Sequence, residues 1–263
     1  MKIVRRILIT VFLSVTLGFI LIYYVSPIAL SFYGSSKAIP ITRVVPTDLK
    51  DSSIASASGT KLSYLGYEFE VPWNDLDGSQ TVLIPKDKPD KNRVILNFRS
   101  GLRLMATKCP PREMADEMMR QDVKMTSAAF AAVFGPKAVD SDYEFMKRVF
   151  EFSPDKMHHW ALRPPVHARE EVLLVIKTIV PSRPAKSGIF NIHNASYEGY
   201  QQGDPSSASA KDDGIILSLY SQTDTFELIV AEGKSTHLVT QPEINRIVQS
   251  LHKVELNSPV AQR

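Results

Sequence analysis

Hydrophobic and polar positions change their period several times along this chain, and each change marks a structural unit. From Ile7 to Leu30 there is no alternation: ILITVFLSVTLGFILIYYVSPIAL carries no charged residue and lies directly behind Lys2, Arg5 and Arg6. As a helix, these 24 residues would extend about 36 Å at about 1.5 Å per residue, enough to cross a hydrocarbon core of about 30 Å. The run predicts a transmembrane helix, with Ile7, Phe12, Leu17, Leu21 and Leu30 among its membrane-embedded positions. A secretory signal peptide has a shorter apolar region, about 7 to 15 residues, ahead of a small-residue cleavage site. Ser36-Lys37-Ala38 is a weak candidate for such a site. The length of the run therefore favours an uncleaved signal anchor, which with its charged tip occupies residues 1–34.

From Ser35 to Thr60 the composition shifts to Ser, Pro, Thr, Ala and isolated charges. Such a stretch has little apolar surface to bury, so residues 35–60 are expected to form a flexible tether. Ile39 to Val45 is the part of it that could add an edge strand. The folded domain, residues 61–256, opens with a period of two. Tyr67, Phe69, Val71 and Trp73 alternate with Glu68, Glu70 and Pro72, as in a strand with one face on a core. Thr81–Ile84 and Val94–Phe98 read as further strands, with Leu102–Met105 as a continuation of the second beyond the break at Gly101.

The middle of the chain turns to helical spacing. Met114, Ala115, Met118 and Met119 share a face behind Pro110 and Pro111, and a second helix fits Thr126–Phe134. A third follows Ser141, where Ser141 and Glu144 form a capping box and Met146, Val149 and Phe150 line one side. Behind Pro164 and Pro165, helical spacing links Ala168, Val172, Val175, Ile176 and Ile179, with Arg169, Glu170 and Lys177 mainly off that face. From Gly188 the period of two returns. Ile189–His193 and Ser196–Gln201 read as strands, Ile215–Tyr220 and Phe226–Ala231 as a hairpin around SQTDT, and His237–Val239 as a brief strand. The chain closes on a capped amphipathic helix: Thr240 pairs with Glu243, and Ile244, Ile247, Val248 and Leu251 fall at i, i+3, i+4 and i+7. Residues 257–263 are expected to be a disordered tail.

These elements predict an α+β domain with an antiparallel sheet covered by helices. Their order, with YEFEVPW and INRIVQSL as the nearest local echoes, resembles PsbP-like domains, named for an extrinsic photosystem subunit, over roughly Leu62 to Leu256. The helical middle, Pro111 to Val180, is larger than in such a domain. What the resemblance implies is a sandwich of helices around an antiparallel sheet, used for binding or assembly, with no catalytic residues carried over.

The formal net charge of +3 changes little, because Lys2, Arg5 and Arg6 supply all of it and residues 7–263 are balanced. Nucleic-acid binding needs a clustered cationic surface, so that class of partner is excluded. By the positive-inside rule the same three cations hold the N-terminus in the cytoplasm and export the domain. Cys109 is the sole cysteine; it can form no intramolecular disulfide, and its neighbours Lys108, Pro110 and Pro111 make no metal-binding pattern.

The densest set of potential metal ligands is His158, His159 and His167 with Glu170 and Glu171. A helical zinc site needs ligands converging on one face. Adjacent His158 and His159 point apart in regular structure, and His167 with Glu171 at i, i+4 is a common surface pair. Asn74-Asp75-Leu76-Asp77-Gly78 resembles part of a calcium loop, yet Trp73 and Ile84 would fall where oxygen ligands are required. Gly233-Lys234-Ser235 lacks the first glycine of a phosphate loop, since position 228 is Leu. No GxSxG elbow or dinucleotide fingerprint occurs. Asn194-Ala195-Ser196 is formally a glycosylation sequon, and His193 is expected to face solvent. The methionines from Met105 to Met157 fit core packing. No cofactor is indicated.

An anchor joined to a motif-free domain points to a non-enzymatic module on the outer face of a cytoplasmic membrane. Its expected partners are the lipid bilayer and another envelope protein or a small ligand. The rival is a membrane-anchored hydrolase or metal-dependent enzyme built on His158, His159, His167 and Glu171. A C-terminal fusion to a reporter enzyme that works only outside the cytoplasm is expected to be active; activity from a cytoplasm-only reporter instead would reverse the topology.

Overall fold

The computed structural model describes residues 45–56, 59–83, 92–119, 125–152, 183–232 and 235–254, with isolated positions such as Leu173, Ile176 and Lys177. The expected anchor positions Ile7, Phe12, Leu17, Leu21 and Leu30, the cations Lys2, Arg5 and Arg6, and the 257–263 tail lie outside the described residues. Among those residues no helix is long and apolar enough to cross a membrane.

The alternating segments form strands β1 (Thr47–Asp48), β2 (Thr60–Tyr64), β3 (Tyr67–Val71), β4 (Leu76–Leu83), β5 (Asn92–Phe98), β6 (Arg103–Cys109), β7 (Ile189–His193), β8 (Glu198–Gln202), β9 (Ile215–Tyr220), β10 (Thr225–Ala231) and β11 (His252–Lys253). Helices are α1 (Glu113–Met119), α2 (Ser127–Phe134), α3 (Asp142–Glu151), the single turn α4 (Ala210–Asp213) and α5 (Gln241–Ser250). The domain is α+β, as the periods predict. A central sheet of 8 strands runs β1-β7-β8-β9-β10-β6-β5-β4, and a separate sheet of 3 strands runs β11-β3-β2.

Two features differ from the expectation of one antiparallel sheet. The central sheet is mixed, because β1 lies parallel to β7, with Thr47 beside Phe190 and Asp48 beside Asn191. The aromatic strand β3 pairs with β2 and β11 in the small sheet, not with β4. The reason is local: Leu65 and Gly66, at φ +59° and +84°, close a two-residue hairpin between β2 and β3. Positive φ at both central residues matches the right-handed twist of flanking strands, so the pair closes on itself. His237–Val239, expected as a brief strand, is irregular.

Side chains alternate across the central sheet, and each face has its own core. Leu217 and Leu219 of β9, Phe226, Leu228 and Val230 of β10, and Leu104 and Ala106 of β6 pack with β3 and with Ile244, Ile247, Val248 and Leu251 of α5. Tyr220, Tyr200 and Ile189 face the other way and join Phe130, Phe134, Phe145 and Phe150 of α2 and α3. Phe145 stacks on Phe130 at 5.6 Å, and Phe150 meets Tyr200 edge-on at 5.0 Å. Met146 is buried in this helical core, with Met118, Met119 and Met125 packed against it, as their spacing predicts, while Met114 is exposed.

Residues 51–55, part of the stretch expected as tether, lie against α5. Asn245 Nδ2 donates to the carbonyls of Asp51 at 2.9 Å and Ser53 at 2.8 Å. Arg246 donates to the Ala55 carbonyl and pairs with Glu70 at 2.9 Å. Gln201 and Gln241 exchange amide hydrogen bonds at 2.8 and 2.9 Å, and Gln241 also donates to Asn245 at 2.9 Å. One amide chain therefore links β8, α5 and the arriving segment.

Strands β8 and β9 approach closely at Gly199, where an added Cβ would lie 2.0 Å from the Ser218 carbonyl oxygen. Gly199→Ala is expected to lower stability by about 3 kcal/mol, since a strand must shift to admit the methyl group. Gly66→Ala meets no atom within 4 Å and is expected to cost only about 1–2 kcal/mol for its positive φ. Urea unfolding of both variants checks the ranking, and equal losses would contradict the packing account.

Candidate functional site

A cleft of 470 Å³ opens where the β7–β8 and β9–β10 turns meet the start of α3. Three stretches far apart in sequence line it: Asp140, Ser141 and Tyr143; Asn194 to Glu198; and Tyr220 to Gln222. No histidine, cysteine, lysine or arginine is among them.

Each wall is held by side chains that satisfy backbone groups. Ser141 caps α3 by accepting from the Glu144 N–H at 3.4 Å, as the Ser141–Glu144 spacing predicts. The next residue, Asp142, accepts from the Met114 N–H at 3.2 and 3.3 Å and so secures the start of α1. Burial raises the Asp142 pKa to about 6, against hydrogen bonds from Met114, Ala115 and Glu113 that oppose the rise. Tyr143 stacks on Tyr200 at 5.4 Å. Burial and the nearby Glu198 charge push its phenol above the ordinary value. Tyr220 is raised further still, by burial and then by Asp142.

Asn194 builds the second wall. Its Oδ1 accepts from the N–H groups of Ser196 at 2.8 Å and Tyr197 at 2.9 Å. Its Nδ2 donates to the carbonyls of Val248 at 2.7 Å and Leu251 at 2.9 Å at the C-terminal end of α5. The formal sequon is thus a structural clamp, its amide nitrogen engaged by the last turn of the helix. Tyr197, behind this turn, is pushed up to about 12 by burial and then by the Asp224 charge.

The third wall turns on Asp224, which is buried. Burial alone would raise its pKa, but donation from Lys253 Nζ at 2.7 Å and Ser221 Oγ at 2.8 Å holds the carboxyl below its ordinary value. Ser221 also accepts from the Asp224 N–H at 3.2 Å. Rigid turns therefore present hydroxyl, amide and carboxylate groups to the cleft.

The sequence-selected residues lie elsewhere. His158, His159, His167 and Glu171 are outside the described residues, as are Gly233 and Lys234; among the described residues no group of three or more His, Cys, Asp or Glu could hold a metal. His193 is exposed. Asp75, just ahead of β4, accepts from the Ser100 N–H at 2.5 Å. Cys109 is a buried thiol at the end of β6. His237 pairs with Glu243 at 2.9 Å, and Glu243 also accepts from Trp73 Nε1 at 3.3 Å, so this group ties α5 to the small sheet.

Sequence reasoning missed Lys177 and the cleft. Lys177, set apart from the apolar face by spacing, is buried and donates to the carbonyls of Phe150 at 2.8 Å and of Phe152, neutralising the carbonyl end of α3. The Ser141 cap and the Asn194 turn were the local signals near the cleft, but neither reveals that the two meet. No protein-family model matches the chain, and no curated protein or solved structure matches it.

The raised Asp142 pKa has a definite sign. With a folded value near 6 against an ordinary 3.8, the carboxyl resists ionising in the fold, so stability falls as pH rises from about 4 to about 6. The loss amounts to about 3 kcal/mol at most, by about 1.4 kcal/mol per pKa unit. Asp142→Asn removes this titration. Stability measured by urea unfolding is expected to fall for the native protein relative to Asp142→Asn across that window; parallel curves would refute the assignment.

Proposed function

We propose that this chain is a membrane-tethered extracytoplasmic binding module that presents the cleft of Tyr143, Tyr197 and Tyr220 to a ligand or to another envelope protein. The observation that carries the reading is the position of the cleft relative to the arriving chain. Parallel pairing puts Thr47 beside Phe190, near the start of β7, whereas the cleft opens beyond the end of β7, at Asn194. The four residue steps from Phe190 to Asn194 separate them by about 14 Å at about 3.4 Å per residue. A domain hung from Ile7–Leu30 through residues 35–44 would therefore carry its cleft at the end of β7 opposite to its attachment.

Rigid walls support binding over catalysis. Turns fixed by Asn194 and Asp224 lower the ordering cost of association. The described walls of the cleft place no histidine beside their serines, so a histidine-activated serine has no support there. Helices on one face of the central sheet, and the small sheet with α5 on the other, suit the sandwich and the binding or assembly role that the resemblance to PsbP-like domains implies.

A thermal-shift screen of the purified full chain against small polar compounds tests this. A ligand at about 100 times its Kd stabilises by about 2.7 kcal/mol, and the shift is expected to vanish in Ala195→Trp, which fills the cleft from an exposed turn position. Hydrolysis of ester, amide or phosphoester substrates by the same protein, abolished by Ser196→Ala or Glu198→Gln, would replace the binding reading with an enzymatic one.

A further inference from the structure

The segment that brings the chain to the central sheet is held by its backbone far more than by its side chains. The carbonyls of Asp51, Ser53 and Ala55 alternate along one edge, as in an extended chain. They accept from Asn245 Nδ2 at 2.9 and 2.8 Å and from Arg246, and the Ala55 N–H donates to the Pro242 carbonyl at 3.0 Å. Ahead of these bonds, β1 adds only two residues of parallel pairing, and Asn191 Nδ2 donates to Asp48 Oδ1 at 2.9 Å on the surface. No residue from Val45 to Ser56 is buried, and Ile54 is 53% exposed. Leu49 packs against the core, but only in part.

The space around this segment is not filled. Cavities of 230 and 620 Å³ flank it, one beside Asp48, Ser52 and Ile54 and the other beside Lys50 and Asp51, with Leu49 on the rim of both. Nor does α5 depend on it. Ile244, Ile247, Val248 and Leu251 hold the helix in the core, and each residue that grips the segment has a second partner. Gln241 Nε2 donates to Asn245 Oδ1 at 2.9 Å, and Arg246 pairs with Glu70 at 2.9 Å. The chain becomes fixed to the small sheet at Gly59 and Thr60. An added Cβ at Gly59 would lie 2.0 Å from the Val71 carbonyl oxygen, Thr60 Oγ1 donates to the Trp73 carbonyl at 2.7 Å, and Leu62 is the first buried side chain among the described residues.

We infer that residues 47–55 are a latch. They leave the edge of β7 and the groove of α5 together while the domain stays folded, because water replaces the backbone bonds that are lost and little apolar surface is exposed. Opening lengthens the chain between the apolar run and the domain. There are 15 residue steps from Leu30 to Val45 and 29 from Leu30 to Gly59, so the longest reach rises from about 51 to about 99 Å at about 3.4 Å per residue. Latched, the domain is held at the shorter span; unlatched, it meets a partner farther out. The change of reach rests on the membrane tether proposed above, and the opening does not.

Hydrogen exchange of the full chain in phosphatidylcholine nanodiscs tests the opening. The Ala55 amide is expected to exchange about 100-fold faster than the amides of β9 and β10, and with little dependence on urea below the unfolding transition, as a local opening requires. Asn245→Ala is expected to speed Ala55 by about tenfold, as the loss of its hydrogen bonds predicts. Ala55→Pro removes the donor to Pro242 from the segment's own side and is expected to keep a cooperative urea transition. Energy transfer from a dye on Lys211→Cys, an exposed position, to labelled lipid tests the reach, with Cys109 buried and out of reach of the label. Transfer is expected to fall in Ala55→Pro, as the mean span grows by about 1.4-fold. Exchange of Ala55 at the rate and urea slope of β9 and β10, no acceleration in Asn245→Ala, or loss of cooperative folding in Ala55→Pro overturns the latch. Fast exchange at Ala55 with transfer unchanged in Ala55→Pro leaves the opening in place and overturns the change of reach, and with it the tether.

Discussion

Burying Ile244, Ile247, Val248 and Leu251 presses α5 between the small sheet and the central one, and its polar residues then fall at the two ends of that sheet. At one end Gln241 and Asn245 meet Gln201 and the arriving backbone of Asp51 and Ser53. At the other, the final carbonyls of the helix meet Asn194. Both sets are amides bonded to amides or to backbone, so neither end carries a cost in buried charge. The apolar stripe supplies the driving force, upward of about 1.5 kcal/mol per buried side chain, and the amides fix where along the sheet the helix stops.

That placement determines the cleft. A turn of the Asn194 kind could adopt several conformations on a free hairpin. Tied to the end of α5, it has one, and Tyr197 and Glu198 follow from it in register with Tyr220. The opposite face contributes α3 through Tyr200 and Tyr220, whose rings reach Tyr143 at 5.4 and 6.1 Å. Cores on opposite faces of one sheet thus converge at its end, and the cleft is the gap between them. Lys177 has a matching role at the far end of α3, where it satisfies carbonyls that the helix cannot.

What could be read in the sequence is what depends on neighbours a few residues away. The alternation of Tyr67, Phe69 and Val71, the hairpin of β9 and β10, and the caps at Ser141 and Thr240 all appear as their spacing predicts. Partner choice between strands does not depend on spacing. Nothing in Tyr67–Val71 distinguishes pairing with Thr60–Tyr64 from pairing with Leu76–Leu83, and the positive φ of Leu65 is not advertised by a leucine. The parallel contact of Thr47 and Asp48 is likewise set by the clamp on Asp51 and Ser53, 194 and 192 residues away from Asn245. The cleft was invisible for the same reason: its walls are short polar turns whose residues each have an adequate local explanation.

Asn194 shows how strongly place overrides pattern. As a sequence, Asn194-Ala195-Ser196 is an acceptor motif for a glycan on an exported chain. In the fold, both donor hydrogens of its amide point at helix carbonyls 2.7 and 2.9 Å away. A glycan there would remove one donor and need space where α5 ends, so folding and modification compete for the same nitrogen. The same turn carries Ser196, Tyr197 and Glu198 to the cleft. An amide that caps a helix from outside thereby settles the position of one wall of the cleft and withdraws a modification site, both from one pair of hydrogen bonds.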